Sequence, residues 1–287
     1  MVAKRSKKSG TFDKEILVLI TVIFIVGIVL GFFFGKKSSQ DEIVPPKKKT
    51  VVSKKASPKK LAKPELSQRA PKVAIVIDDV GNDDHFKELV WNLPAQVTIA
   101  VLPGLPYSKY YATEGKRRGF EIILHQPMEP IRRMNDEDFG MIRVDTSDAE
   151  IVRLLDQNLS WVPGAIGFNN HMGSLGTQDS RVMNTVLQYA KRNRLLFLDS
   201  QTSSRSVASE IARKLGIKIL IRDVFLDNEL EPDYIHGQFE QLEEAAIQNG
   251  YAIGIGHYKF NTLTILNDEL VKLKEKGFRI VSLQDLL

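Results

Sequence analysis

The sequence predicts an α/β fold: a distorted or incompletely closed (β/α) barrel, with a doubly wound sheet as the alternative. Three observations carry this expectation. From residue 71 onward, eight short apolar runs alternate with seven segments of helical period. Glycines stand just past four of those helical segments, at Gly119, Gly216, Gly250 and Gly277, where C-caps belong. Unusual polar residues collect just beyond the ends of the apolar runs, the side on which such folds bind ligands.

Three segments of a different kind precede the alternation. Residues 1–15 are basic and polar. Residues 16–34, ILVLITVIFIVGIVLGFFF, carry no charge, and as a helix would span roughly 28 Å, close to the hydrocarbon thickness of a bilayer. No small-residue cleavage site follows, because Phe32-Phe33-Phe34 lead directly into Gly35-Lys36-Lys37. The expectation is therefore an uncleaved transmembrane anchor with a single span. Five Lys/Arg precede it and six lie between Lys36 and Lys54, so the positive-inside rule does not orient it. Residues 35–70, rich in Lys and Pro, have no periodic apolar face and read as a disordered tether with a reach of roughly 30 Å or more.

The domain then occupies 71–287. Its expected strands are Val73–Ile77, Val97–Leu102, Glu121–Leu124, Ala165–Phe168, Leu195–Leu198, Ile217–Ile221, Ala252–Ile255 and Phe278–Ser282. The first, Val73-Ala74-Ile75-Val76-Ile77, is apolar throughout and mostly β-branched, as a strand buried on both faces should be. Helices are expected near Asp83–Leu93, Tyr107–Arg118, Ser147–Leu159, Ser180–Asn193, Ser204–Leu215, Tyr234–Asn249 and Thr262–Lys276. The last carries Leu263, Leu266, Leu270 and Leu273 on one face.

Composition narrows the function. The net charge of +5 divides unevenly: residues 1–70 hold 16 Lys/Arg against 5 Asp/Glu, and the remainder 24 against 30. The domain is mildly acidic, which argues against nucleic acid as a partner. The chain has no cysteine, so any metal must sit on histidine and carboxylate.

Such residues recur at strand ends. Asp78 and Asp79 follow the first strand, His125 the third, His171 the fourth, Asp199 the fifth, Arg222 and Asp223 the sixth, and His257 the seventh. Each alone has a plain explanation as a turn former or loop hydrogen-bonder. Six rim positions filled together match what an open metal site requires: about three protein ligands, with a carboxylate and a histidine for proton transfer.

Several blocks also carry a family likeness: Ile77-Asp78-Asp79-Val80-Gly81, Leu124-His125-Gln126-Pro127-Met128-Glu129-Pro130, Asn169-Asn170-His171-Met172-Gly173-Ser174, Phe197-Leu198-Asp199-Ser200, Arg222-Asp223-Val224-Phe225-Leu226-Asp227 and Gly256-His257. Through them the domain resembles the divergent polysaccharide deacetylases of the YibQ-like branch, relatives of the NodB-type carbohydrate esterases, whose fold is a distorted (β/α) barrel. The resemblance implies Asp78 as the catalytic base, Asp79 as a metal ligand and His257 as the acid for the leaving amine. The H-x-x-x-H ligand pair of the NodB-type enzymes is missing, since Glu129 stands four residues after His125. His125 and His171 are then the expected remaining ligands, with Glu129 next in line. Asp199 is expected to orient an imidazole and Arg222 to hold Asp78 ionised, with Asn170, Ser174 and Asp223 as substrate-binding residues. The implied cofactor is a divalent metal, Zn²⁺ by ligand type, and the implied substrate an N-acetylated amino-sugar polymer of the cell envelope. A catalytically inactive carbohydrate-binding or scaffold protein on the same fold is the alternative. An envelope polymer as substrate implies a domain outside the cytoplasm, anchored to the inner membrane. A reporter fused after Leu287 is therefore expected to be active only outside the cytoplasm; activity confined to the cytoplasm would defeat this topology.

Overall fold

The computed structural model of the protein describes residues 70–132 and 139–287. The expected anchor at 16–34 and all but the last residue of the tether at 35–70 lie outside the described residues, and among the described residues no helix is long and apolar enough to cross a membrane. The strands are β1 (Lys72–Val80), β2 (Thr98–Val101), β3 (Glu121–Met128), β4 (Gly167–Met172), β5 (Leu196–Asp199), β6 (Leu220–Ile221), β7 (Val224–Phe225), β8 (Tyr251–His257) and β9 (Arg279–Ile280). Between them run helices α1 (Lys87–Trp91), α2 (Ser108–Arg117), α3 (Asp148–Trp161), α4 (Ser180–Asn193), α5 (Ala208–Leu215), α6 (Pro232–Asn249) and α7 (Phe260–Glu275).

The strands are parallel and ordered β6-β5-β4-β3-β2-β1-β8-β7, with β9 pairing only Lys72 and Val73 at the start of β1. The two ends of that order, β6 and β7, are separated in the chain by Arg222 and Asp223 alone. Two intervening residues reach about 10 Å at most, so the sheet must curl until its edges meet. At the seam the Arg222 amide donates to the Asp199 carbonyl on one edge and the Asp223 amide to the Ile253 carbonyl on the other. The chain itself bridges the gap that strand pairing leaves open. This is an incompletely closed barrel, and the curl rules out the flat doubly wound alternative.

Alternation along each strand divides the core in two. Val73, Ile75, Ile77, Ile99, Ile122, Leu124, Phe168 and Phe197 face outward, where they pack with the helices. Ala74, Val76, Ala100, Ile123, Leu198, Ile253 and Ile255 face inward and pack with Val281, Leu283 and Leu286 of the C-terminal segment. That segment closes the N-terminal end of the barrel, where Glu121 accepts the amides of Leu283 and Gln284. The opposite end is left for the site.

Sequence patterning misplaces the shortest elements. The run expected as a strand at Ile217–Ile221 is paired only over Leu220–Ile221, and β7 gives no periodic signal because two residues are too few to show one. The helix expected from Asp83 begins at Lys87: Asp83 Oδ1 accepts the His85 amide at 3.0 Å, holding a local turn that competes with helix. The glycine signals hold: Gly216 and Gly250 end α5 and α6 in the left-handed conformation. Asp179, not singled out by pattern, caps α4 by accepting the Val182 amide.

Two glycines give opposite expectations. A Cβ on Gly167 would lie 2.4 Å from the Leu196 carbonyl oxygen, a backbone atom that cannot move aside. Gly167→Ala should destabilise by several kcal/mol, as overpacking against a fixed atom does at its upper end, ~3 kcal/mol. Gly237, inside α6 with open space around it, should gain about 0.5–1 kcal/mol as Gly237→Ala. Denaturant midpoints of the two variants should move in opposite directions.

Candidate active site

Residues paired across a parallel sheet share a face, so the inward rows can be followed past the apolar core to the open end. Asp78 continues the row of Ala74 and Val76, and pairs with His257, which continues Ile253 and Ile255. His125 continues Ile123 and pairs with Asn169, which pairs in turn with Leu198. Above the inner core there is thus a belt of Asp78, His125, Asn169 and His257, with His171 one inward step beyond Asn169.

Asp79 is out of phase with this belt and reaches it by a break in the strand. Between Ile77 and Val80 the β1–β2 register slips, three steps along β1 against two along β2, and Asp79 sits at φ 63°. An added residue in the left-handed conformation is how a bulge re-aims a side chain. Met172 and Gln201, at or just after the ends of β4 and β5, also have positive φ, 52° and 48°. Backbone strain gathered at one rim is the usual mark of a functional end.

The bulge points Asp79 Oδ1 at two imidazoles: His171 Nδ1 at 3.0 Å and His125 Nε2 at 3.2 Å, with the two nitrogens 3.1 Å apart. The two imidazole nitrogens are hydrogen-bonded to each other, whereas Asp79 Oδ1 is buried without a hydrogen-bond partner. Burial by itself would raise the Asp79 pKa, yet the two imidazoles outweigh it and hold the carboxylate well below its ordinary value. Three electron-pair donors converge on one point. Tetrahedral Zn²⁺ with nitrogens at ~2.0–2.1 Å separates its ligand atoms by about 3.3 Å, so Asp79, His125 and His171 fit a small divalent ion.

Asn169 sets the state of this cluster. Its side-chain oxygen faces His125 Nδ1 at 2.7 Å, while its amide nitrogen donates to Asp78 Oδ1 at 2.9 Å and to Ser200 Oγ at 3.2 Å. With the amide so oriented, His125 carries its proton on Nδ1 and presents the Nε2 lone pair to the cluster. Asp78 is fully buried, and burial raises its pKa above 3.8 despite the lowering effects of His125, His257 and the Asn169 hydrogen bond. Its Oδ2 lies 3.6 Å from His125 Nε2, beside the donor cluster but outside it.

On the other flank, His257 Nδ1 meets Asp227 Oδ1 at 2.7 Å, and Asp227 Oδ2 accepts both the His257 amide and the Thr262 hydroxyl. Burial would lower the His257 pKa, but Asp227, with Asp78 and Asp79 further off, pushes it up to about 9. The ring also stacks on Phe225, which lies under the Arg222 guanidinium.

The remaining expected site residues are engaged elsewhere. Asp199 continues Phe197, so it faces outward; its oxygens accept the Gln201 amide and the Ser206 hydroxyl, and no imidazole. Asp227 is the carboxylate that orients a histidine. Arg222 donates to the carbonyls of Ser200 and Gln201, and Asp199 and Asp223 act on its charge more strongly than Asp78 does. Asn170 faces outward and ties the Met172 carbonyl to the Ser200 amide. Asp223 accepts the Ile253 amide, four residues short of His257 on β8. Ser174 accepts the Ile131 amide, and Glu129 the Val144 amide, so both brace the loops after β3 and β4. Sequence reasoning passed over Asn169 and Asp227. Both were visible by phase: Asn169 lies two before His171, and Asp227 two after Phe225.

The comparisons with known proteins bear on the whole domain. A profile of divergent polysaccharide deacetylases matches residues 75–287. An uncharacterized protein of Haemophilus influenzae is 37% identical over 206 residues, 71% of this chain and 72% of that one. The uncharacterized protein YibQ of Escherichia coli is 36% identical over 204 residues; the match spans 71% of this chain and 64% of that protein. Among solved structures, an uncharacterized protein of Agrobacterium tumefaciens shares the fold with a TM-score of 0.73 at 23% identity, over 76% of this chain and 90% of that one.

The geometry makes three side chains a candidate metal site, with a fourth oriented against one of them. Alanine at Asp79, His125 or His171 should weaken Zn²⁺ binding by orders of magnitude in calorimetric titration. Asn169→Ala should weaken it about 10–100-fold, the usual effect of removing a residue that orients a ligand. Glu129→Ala should leave it unchanged; a loss there equal to that of His171→Ala would overturn the assignment.

Proposed function

The chain belongs to the divergent polysaccharide deacetylase family, and from that premise we propose that it is a metal-dependent hydrolase removing N-acetyl groups from an amino-sugar polysaccharide of the cell envelope. The observation that carries this is the flanking of one donor cluster by two candidate proton-transfer groups on opposite sides. Asp78, on one side, is a buried carboxylate held beside the cluster; His257, on the other, is an imidazole kept protonated by Asp227.

Each residue then has a task. A divalent ion on Asp79, His125 and His171, Zn²⁺ by the chemistry of the donors, supplies Lewis acidity toward a water and an acetyl carbonyl. Asp78 takes the proton of the attacking water, oriented for it by the Asn169 amide on its other oxygen. As the C–N bond breaks, His257 gives its Nε2 proton to the departing nitrogen, because Nδ1 is held by Asp227. Water has then been added across the amide, leaving acetate and a free amine. The apolar stretch at 16–34 supports a single-pass anchor in the bacterial inner membrane, with the lysine-rich tether letting the domain reach polymer outside the cytoplasm.

The test is acetate release from chitin or peptidoglycan oligomers by Zn²⁺-loaded protein. Asp78→Asn should keep fold and metal while kcat falls about 10²–10⁴-fold, the usual range for a general base. Glycan binding without any acetate release would favour the inactive, carbohydrate-binding alternative. The pH profile has a definite sign. Activity needs Asp78 ionised and His257 protonated, so kcat/KM should rise through an acid limb above pH 3.8 and fall through an alkaline limb near 9. Asp227→Asn removes the charge that holds the His257 proton, and should move the alkaline limb down by about one pH unit or more.

A further inference from the structure

An apolar surface stands on the segment just after His257 that neither folding nor the proton chemistry explains. Phe260, the first residue of α7, is 57% exposed, and Leu230 on the neighbouring loop is 45% exposed. A helix start has no need of a phenyl group, and an exposed ring there gains little from folding. Phe260 is nevertheless held in place. Its ring lies 5.8 Å from that of Phe86, on the loop after β1, and the adjacent Asn261 donates to the Leu230 carbonyl at 2.8 Å. Phe86 is fixed in turn, since its amide donates to the Tyr258 hydroxyl, which shares a 2.8 Å hydrogen bond with the buried Tyr111 hydroxyl. The loops following β1 and β8 thus present Phe86 and Phe260 as a braced pair, and the Asn261 bond ties the loop carrying Leu230, after β7, to them.

The position of this pair follows from the reaction and so rests on the deacetylase reading above. The acyl part of the substrate is only an acetyl group, which belongs at the donor cluster of Asp79, His125 and His171. The leaving nitrogen belongs at His257, and the sugar body is attached to that nitrogen. Everything larger than acetyl must therefore extend past His257. Phe260 is three residues further along the chain, within about 10 Å by backbone length, and a tight turn lies between them, with the Lys259 amide on the His257 carbonyl at 2.7 Å. A pyranose ring offers a C–H face that suits a flat apolar side chain.

We propose that Phe260, with Phe86 beside it, forms the platform on which the sugar chain of the leaving amine stacks, and that it selects polymeric substrates over small acetyl compounds. Phe260 is then a specificity-determining residue that takes no part in proton transfer.

Kinetics on the full, Zn²⁺-loaded chain separate this from a structural role. The substrates are an N-acetylated chito-oligosaccharide tetramer and ethyl acetate, whose two-carbon leaving group is too short to lie on the platform. Phe260→Ala should raise KM for the tetramer about tenfold, in keeping with the loss of roughly half a buried phenyl contact. It should leave kcat within about twofold and ethyl acetate hydrolysis unchanged, and Phe260→Trp should restore KM. An unchanged KM for the tetramer, or an equal loss on both substrates, would overturn the platform while leaving the deacetylase reading intact. If the parent protein releases acetate from nothing, the deacetylase reading fails and calorimetric titration of the tetramer decides the platform alone. Tetramer binding weakened about tenfold by Phe260→Ala would then support it, and no binding, or binding unaffected by the substitution, would refute it.

Discussion

Two neighbouring carboxylates on one strand cannot both face one site unless the strand breaks its own alternation, and the site depends on that break. Asp78 keeps the inward phase of β1. Asp79 joins it only because the chain bulges and turns left-handed there, at φ 63°. For a non-glycine residue this conformation costs about 1–2 kcal/mol. The surrounding backbone holds it: the Leu102 amide is bonded to the Val80 carbonyl and the Tyr107 amide to the Gly81 carbonyl. Without the bulge, Asp79 would face the helices, and His125 and His171 would face each other with no carboxylate between them.

The belt around the bulge shows how buried polar groups constrain one another. Asn169 has no exposure to solvent, so an unmatched amide there would be strongly disfavoured. Its two ends are matched to different partners, a ring nitrogen and a carboxylate, which leaves one orientation for the amide and one tautomer for His125. The same residue thereby couples the proposed base to a proposed metal ligand. On the opposite flank, Asp227 is matched by His257 and Thr262, and its charge overcomes the desolvation that would otherwise strip the proton from His257. A carboxylate raised by burial and an imidazole raised by a carboxylate follow from one buried setting with different neighbours.

The barrel seam is as much a functional device as a topological one. Because the chain crosses from β6 to β7 over two residues, Arg222, Phe225 and Asp227 are delivered to the inward face beside β8. Arg222 covers Phe225, Phe225 stacks on His257, and Asp227 holds its Nδ1. The His257 flank of the site is assembled where strand pairing is weakest, with side chains doing what a longer β6–β7 ladder would otherwise have done.

The sequence by itself determined the alternation of strands and helices, the buried first strand, and the rim on which chemistry collects, because apolar periodicity and strand-end polarity are local properties. It also marked Asp79, His125 and His171 as a set, which the structure brings within 3.2 Å of one another. Strand phase, equally local, would have set Asp199 and Asn170 on the outward face and promoted Asn169 and Asp227. Tertiary structure alone decided the rest. The bulge that reverses the phase of Asp79 is a slip between β1 and β2, and β7 is too short to announce itself by period. The curl that brings Asp227 to His257 across thirty residues of chain depends on how far the whole sheet closes. Pairing register and sheet closure are settled by contacts between segments distant in sequence, and no local pattern encodes them.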